Sequence, residues 1–133
     1  MSKIPAGVSE LRQAFYGHFA NSQKIEQRSS YLLLFYAVEC GFKSVFLKNR
    51  NFHTTEQIDD SITKFGHDLN LWKKELKIAA SETPHFSLDK GGSHLEIEKA
   101  HQVWRYGVKM DPDQEKILVG WLKDCVELIK EKL

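Results

Sequence analysis

Three prolines, two cysteines and no sustained alternation of apolar and polar residues mark this 133-residue chain. So little proline in an ordinary globular balance argues against disorder, and the missing alternation argues against a sheet with one solvated face. Cys40 and Cys125 are far apart, each inside an apolar helical pattern. They are expected as small reduced core residues rather than as a disulfide or a metal pair. Charge of one sign is also missing. Nineteen Lys and Arg stand against eighteen Asp and Glu, so no bulk field draws the chain to nucleic acid or to an anionic membrane, and RNA contact would need a local patch. The first ten residues hold no signal-peptide core, and no run reaches the ~20 apolar residues of a good span. A cytoplasmic protein without membrane contact is therefore expected. GxGxxG, P-loop, HExxH and paired-cysteine zinc patterns are absent as well, so no cofactor and no metal are expected.

What is present is helical periodicity within an ordinary globular balance of 41% hydrophobic and 28% charged residues. A chain of this length suits one domain over residues 1–133, large enough to bury one core. Leu11, Phe15 and Phe19, four residues apart, predict a helix over 9–21. A second helix is predicted from Ser22 to about Lys48. Its middle, YLLLFYAVECGFKSVFL at 31–47, is apolar on nearly every face and should be wrapped by the other helices. Gly41 inside it costs about 1 kcal/mol against alanine, which points to close approach by another helix.

After a polar connection at 49–55, Thr54 and Gln57 have the spacing of a capping box that opens a short helix to about Lys64, ended by Gly66. The next helix is predicted from His67 or Asp68 to about Ala79, with Leu69, Trp72, Leu76 and Ile78 on its apolar side. Pro84 and the Gly91–Gly92 pair make 80–92 the longest loop and the expected mobile element. Ser93 and Glu96 again have capping-box spacing, for a helix through Tyr106 that stops at Gly107. Asp111, Pro112 and Gln114 form a strong start for the last helix, whose stripe includes Leu118, Trp121, Leu122, Cys125 and Ile129. The expected fold is all-α, an antiparallel bundle of about five to six helices around a long central apolar helix.

Three pieces in order, YLLLFYAVECGFKSVFL (31–47), GHDLNLWKKEL (66–76) and VWRYG (103–107), resemble the HEPN superfamily of small prokaryotic helical domains. The family's long helix carries an alanine-x-glutamate with a lysine one turn on, here Ala37, Glu39 and Lys43. A His-Asp-Leu helix start and an Arg-Tyr pair at a later helix end follow. The resemblance implies a helical bundle, homodimerisation or a larger protein partner, and a place in toxin–antitoxin or phage-defence systems. It also implies metal-independent endoribonuclease activity from an arginine and a histidine with four to six residues between them. RNA supplies its own 2′-hydroxyl nucleophile, so a histidine to move a proton and an arginine to hold the phosphate suffice.

Only RQAFYGH has that spacing, making Arg12 and His18 the candidate catalytic pair. The family's motif usually lies on a later helix, and residues six apart stand about 240° around a helix, so the pair shares a site only at a bend or an interface. A solvated arginine and an unrelated surface histidine fit that geometry better. Catalytic competence thus stays open, and the alternative is a non-enzymatic adaptor docking on a larger nuclease, ATPase or nucleotidyltransferase. Lys43, His67, Lys73, Lys74 and Arg105 are the candidate RNA- or partner-binding residues, although solvated faces explain the lysines adequately. His67–Asp68 also suits a helix cap. Glu39 and Lys43 are one turn apart in the favourable order, yet a charged pair in an apolar helix needs polar company, with Arg105 or Tyr106 as candidates. Glu98 and His101 have ExxH spacing but no second copy, which argues against a di-metal site. The three tryptophans fall on apolar stripes as core residues.

Overall fold

The computed structural model describes residues 5–24, 28–78, 84–89 and 94–133. Among the described residues, six α-helices form an all-α bundle: α1 (Val8–Lys24), α2 (Arg28–Arg50), α3 (Asp60–Thr63), α4 (Leu69–Glu75), α5 (Ile97–Arg105) and α6 (Pro112–Lys132). A 3₁₀ turn, Thr55–Gln57, precedes α3. Among the described residues there is no β-strand beyond isolated bridges.

The all-round apolar sequence of α2 has its expected consequence. Helices α1, α4, α5 and α6 all pack against it. Phe35, Ala37, Val38, Phe42, Val45 and Leu47 are fully buried. By length and composition Ser29–Arg50 could cross a membrane, but 61% of its most apolar window is buried inside the fold. Protein covers those faces here.

Helices α1 and α2 run antiparallel, because Ser44 Oγ donates to Val8 O near one end while the His18 and Tyr36 rings meet near the other. Helix α6 runs along α2 in the same direction, with Ile129 at Gly41 and Lys48 Nζ donating to the Lys132 carbonyl. Gly41 is where these helices come closest. A Cβ there would stand 2.7 Å from Ile129 and 2.9 Å from Phe15, separations no side chain sustains without repacking. The predicted close approach is therefore present on two sides at once.

Local signals act where their partners are near in sequence. Asp111 caps α6 by accepting from the Gln114 N–H, with Pro112 in the first turn. Thr54 and Gln57 form the capping box, but the turn ends at Ile58 in extended conformation. Asp59 then caps α3 by accepting from the Ser61 N–H, so the one predicted helix is two short pieces. The predicted start of α5 shifts. Glu96 is the cap residue rather than the third helical position, it makes no side-chain capping bond, and Ser93 lies outside the described residues.

Three helices end in the same hydrogen-bond pattern, with a left-handed residue just past the end: Asn51 (φ 56°), Lys77 (φ 54°) and Gly107 (φ 69°). The following N–H reaches back in each case, Phe52 to Leu47 O, Ile78 to Lys73 O and Val108 to Val103 O. This closes otherwise open carbonyls at the helix ends. Lys77 stops α4 well before the predicted Ala79.

Part of the expected mobile loop at 80–92 lies outside the described residues. Its described portion is tied down, with the Leu95 N–H bonded to Phe86 O, the Asp111 N–H to Leu88 O and the Ser87 N–H to Gln114 Oε1. Trp72, Trp104 and Trp121 are all buried, as expected. Both cysteines are free thiols, and burial pushes Cys125 up to about 12.

Candidate functional site

The buried carboxylate of α2 organises one place in the molecule. Glu39 is only 8% exposed, so its charge needs partners. It finds two. Its Oε1 lies 2.6 Å from His67 Nδ1, and its Oε2 lies 3.8 Å from Lys43 Nζ one helical turn on. The company comes from His67 and not from Arg105 or Tyr106, the candidates named from sequence. Arg105 instead places its guanidinium over the Tyr106 ring at 5.6 Å.

His67 is free for this contact because Asp68 caps α4, accepting from the Leu71 N–H at 3.2 Å. Gly66, with φ 49°, turns the chain into that cap, and its carbonyl accepts from Trp72 Nε1 at 3.0 Å. His67 therefore stands at the junction of a tight turn and a helix start, with Nδ1 on the carboxylate. With Nδ1 donating, the Nε2 lone pair is available to a substrate.

A second imidazole lies beside the first. The rings of His67 and His101 are 4.1 Å apart, with Phe35 and Tyr36 also packed on His101. His101 is 2% exposed and its Nδ1 has no hydrogen-bond partner. Burial, then His67 and then Arg105, push its pKa down to about 4. The Glu98 carbonyl is near enough to favour the charged ring slightly, yet it closes no hydrogen bond with Nδ1. His101 is thus a neutral imidazole near pH 7.

The residues singled out from sequence divide around this cluster. Lys43 and His67 belong to it directly, and Arg105 acts on it through its charge. His18 reaches its edge, since the His18 ring meets Tyr36 at 6.5 Å and Tyr36 meets His101 at 6.3 Å. Arg12 points elsewhere. Helix α1 runs through both Arg12 and His18, with the Arg12 guanidinium 5.9 Å from the Tyr16 ring in a groove with Ser9 and Gln13. No bend within one protomer joins the two.

Lys74 is exposed, but Lys73 is 6% exposed with its ammonium 5.7 Å from the Trp121 ring, so it is not on a solvated face. The ends of α2 and α4 do meet, through an Arg50–Glu75 ion pair at 3.0 Å. That contact compensates charge rather than accumulating it.

His101 is the member that sequence spacing missed. It was visible only as half of an ExxH pair, whereas its role comes from stacking on His67 across the α4–α5 contact. Among the described residues, no group of three or more His, Cys, Asp or Glu is arranged to hold a metal ion. No protein-family model, curated protein or solved structure matches the chain.

Proposed function

We propose that this chain is a HEPN-like protein that binds RNA and cleaves it without a metal ion, in a prokaryotic defence or toxin–antitoxin setting. The single observation that carries the proposal is the 2.6 Å contact that holds His67 on Glu39 beside a neutral second imidazole. Its residues come from or lie beside the three pieces that resemble the family. Glu39 and Lys43 are in the first and His67 is in the second. His101 precedes the third, which contains Arg105.

The chemistry follows from these positions. His67 Nε2 takes the proton of a 2′-hydroxyl, and the freed oxygen attacks the adjacent phosphorus. The bond from phosphorus to the 5′-oxygen breaks, leaving a 2′,3′-cyclic phosphate and a 5′-hydroxyl whose proton comes from water. Glu39 fixes the ring and stabilises its imidazolium form. Arg105 offers charge to the phosphate as negative charge builds there. His101 keeps an uncharged, water-excluding wall against His67. Cytoplasmic residence and a homodimer are part of the same proposal, since two such sites on facing protomers would grip one RNA backbone.

Total RNA incubated with the chain in EDTA tests this directly. Cleavage is expected from the parent protein and from Arg12→Ala, and none from His67→Ala. Cleavage that survives His67→Ala, or that depends on Arg12, removes the proposed site.

A second reading is the adaptor that docks on a larger nuclease, ATPase or nucleotidyltransferase without chemistry of its own. Tyr106 is 65% exposed and Val108 and Ile117 are each 44% exposed, an apolar excess near the end of α5 and on α6 that suits a protein partner. No cleavage in EDTA or magnesium, with partner binding lost in Tyr106→Ala, favours the adaptor.

A further inference from the structure

Beside His67, where the start of α4 meets the start of α5, the surface opens into a cleft of about 450 Å³. Its floor is apolar, with Phe86, Leu95 and Ile97 buried. Its rim is polar: Asp68, Glu96 and Glu98 on one part, the His85 and His94 rings on another. Those two rings lie 4.4 Å apart. The Ser87–His94 bridge and the Leu95 N–H to Phe86 O bond of 2.8 Å fix their segments side by side.

Three carboxylates exclude a phosphate from this cleft by simple repulsion. They do not converge as a cation cage either, since no metal-holding group is found among the described residues. Glu98 is raised from its ordinary value, first by a side-chain hydrogen bond to Glu96, so these two carboxyls stand side by side on the rim. Apolar floor, flat imidazole faces and an acceptor-rich rim suit a planar, uncharged ring with hydrogen-bond donors on its edge. Nucleobases are such rings, and imidazoles stack on them. Guanine differs from the other three by presenting two adjacent donors, a ring N–H and an exocyclic amine, which one carboxylate accepts together.

Helix α5 supplies a direction. Glu98, His101 and Arg105 follow at spacings of three and four residues, so they lie along one face about 5 Å apart in rise. Carboxylate, imidazole and guanidinium thus succeed one another from the cleft outward. His101 Nδ1 is buried without a partner. Its ring packs on His67, behind the cleft rather than in its lining.

We propose that this cleft is the base-binding subsite of the RNA site and takes guanine, its donor edge on Glu98 and Asp68 and its phosphate toward Arg105. The proposal rests on the RNA reading given above and adds the base to it.

Titration of the full chain with GMP and with AMP, followed by the NMR signals of the histidine rings, tests it. GMP is expected to bind about tenfold more tightly than AMP, the discrimination typical of a two-point base contact. Glu98→Gln is expected to erase that preference with AMP binding unchanged, and Arg105→Ala to weaken both nucleotides alike. Asp68→Asn keeps a capping side chain and reports the second carboxylate without loss of α4. Equal affinities, no GMP binding by a folded chain, or a preference untouched in Glu98→Gln overturn the proposal. So does magnesium chloride alone shifting the His85 and His94 signals as GMP does. RNA that is bound or cut without regard to guanine sinks the subsite alone. Guanine-selective binding by a chain that neither binds nor cuts RNA sinks the RNA reading instead.

Discussion

Glu39 Oε1 and His67 Nδ1 stand 2.6 Å apart, although they are 28 positions apart in the chain with a 3₁₀ turn and α3 between them. The contact gives a buried carboxylate its nearest partner and fixes the imidazole that the proposed cleavage would use as its base. Replacing Glu39 with Gln keeps the shape and removes the charge. RNA cleavage is expected to fall by about a hundredfold, within the usual contribution of a positioned acid–base group. Circular dichroism is expected to stay unchanged, so initial rates compared at equal helicity check the role.

Stability should depend on His101 in a defined acid window. The ring's pKa is about 4 in the fold and ordinary, near 6.5, in the unfolded chain. Between those values the unfolded state binds the extra proton, so stability falls as pH drops from about 6.5 toward 4 and is fully present above that range. Urea midpoints at pH 7 and pH 4.5 measure it. His101→Phe, which keeps a flat buried ring, should show a smaller difference between the two pH values than the parent chain.

Gly41→Ala gains helix propensity yet places a methyl group 2.7 Å from Ile129. Overpacking outweighs propensity at a fully buried crossing, and a net loss of about 1–2 kcal/mol is expected from denaturant unfolding. Adding Ile129→Val should recover part of that loss, since the two sites touch.

Lys77 holds φ 54° at the end of α4. A left-handed conformation costs a non-glycine residue roughly 1–2 kcal/mol, partly offset by the chain entropy that glycine loses. Lys77→Gly is therefore expected to stabilise the protein by about 0.5–1 kcal/mol, visible as a rise in melting temperature.

The structure separates what was legible in the sequence from what was not along one line, the distance over which a residue finds its partner. Asp111, Pro112 and Gln114 announce α6 because cap and acceptor are three residues apart. The encircled α2 was legible because apolar residues on every face leave no side for water. Gly41 marked a close approach but could not say that Ile129 and Phe15 make it. Where two local signals competed, spacing alone misled: Asp59 restarts the helix that Thr54 opens, and Glu96 caps α5 instead of sitting inside it. Lys73 looked solvated because, with Lys74 and Lys77, it falls on the polar side of the predicted helix. It is buried where α6 brings the Trp121 ring to its ammonium, and the aromatic face offsets part of the lost hydration. The site was the least legible part. Arg12 and His18 carried a spacing, whereas Glu39, His67 and His101 meet only when α2, α4 and α5 pack.

Substitution of a single oxygen tests the central claim most directly. A short RNA with one cleavable site, and the same strand carrying 2′-deoxyribose at that site, are incubated with the chain in EDTA. Cutting of the all-ribose strand to a 2′,3′-cyclic phosphate is expected, with the deoxy strand intact and both strands intact under His67→Ala. Equal cutting of the two strands, or cutting of neither, would contradict a site in which His67 activates the substrate's own hydroxyl.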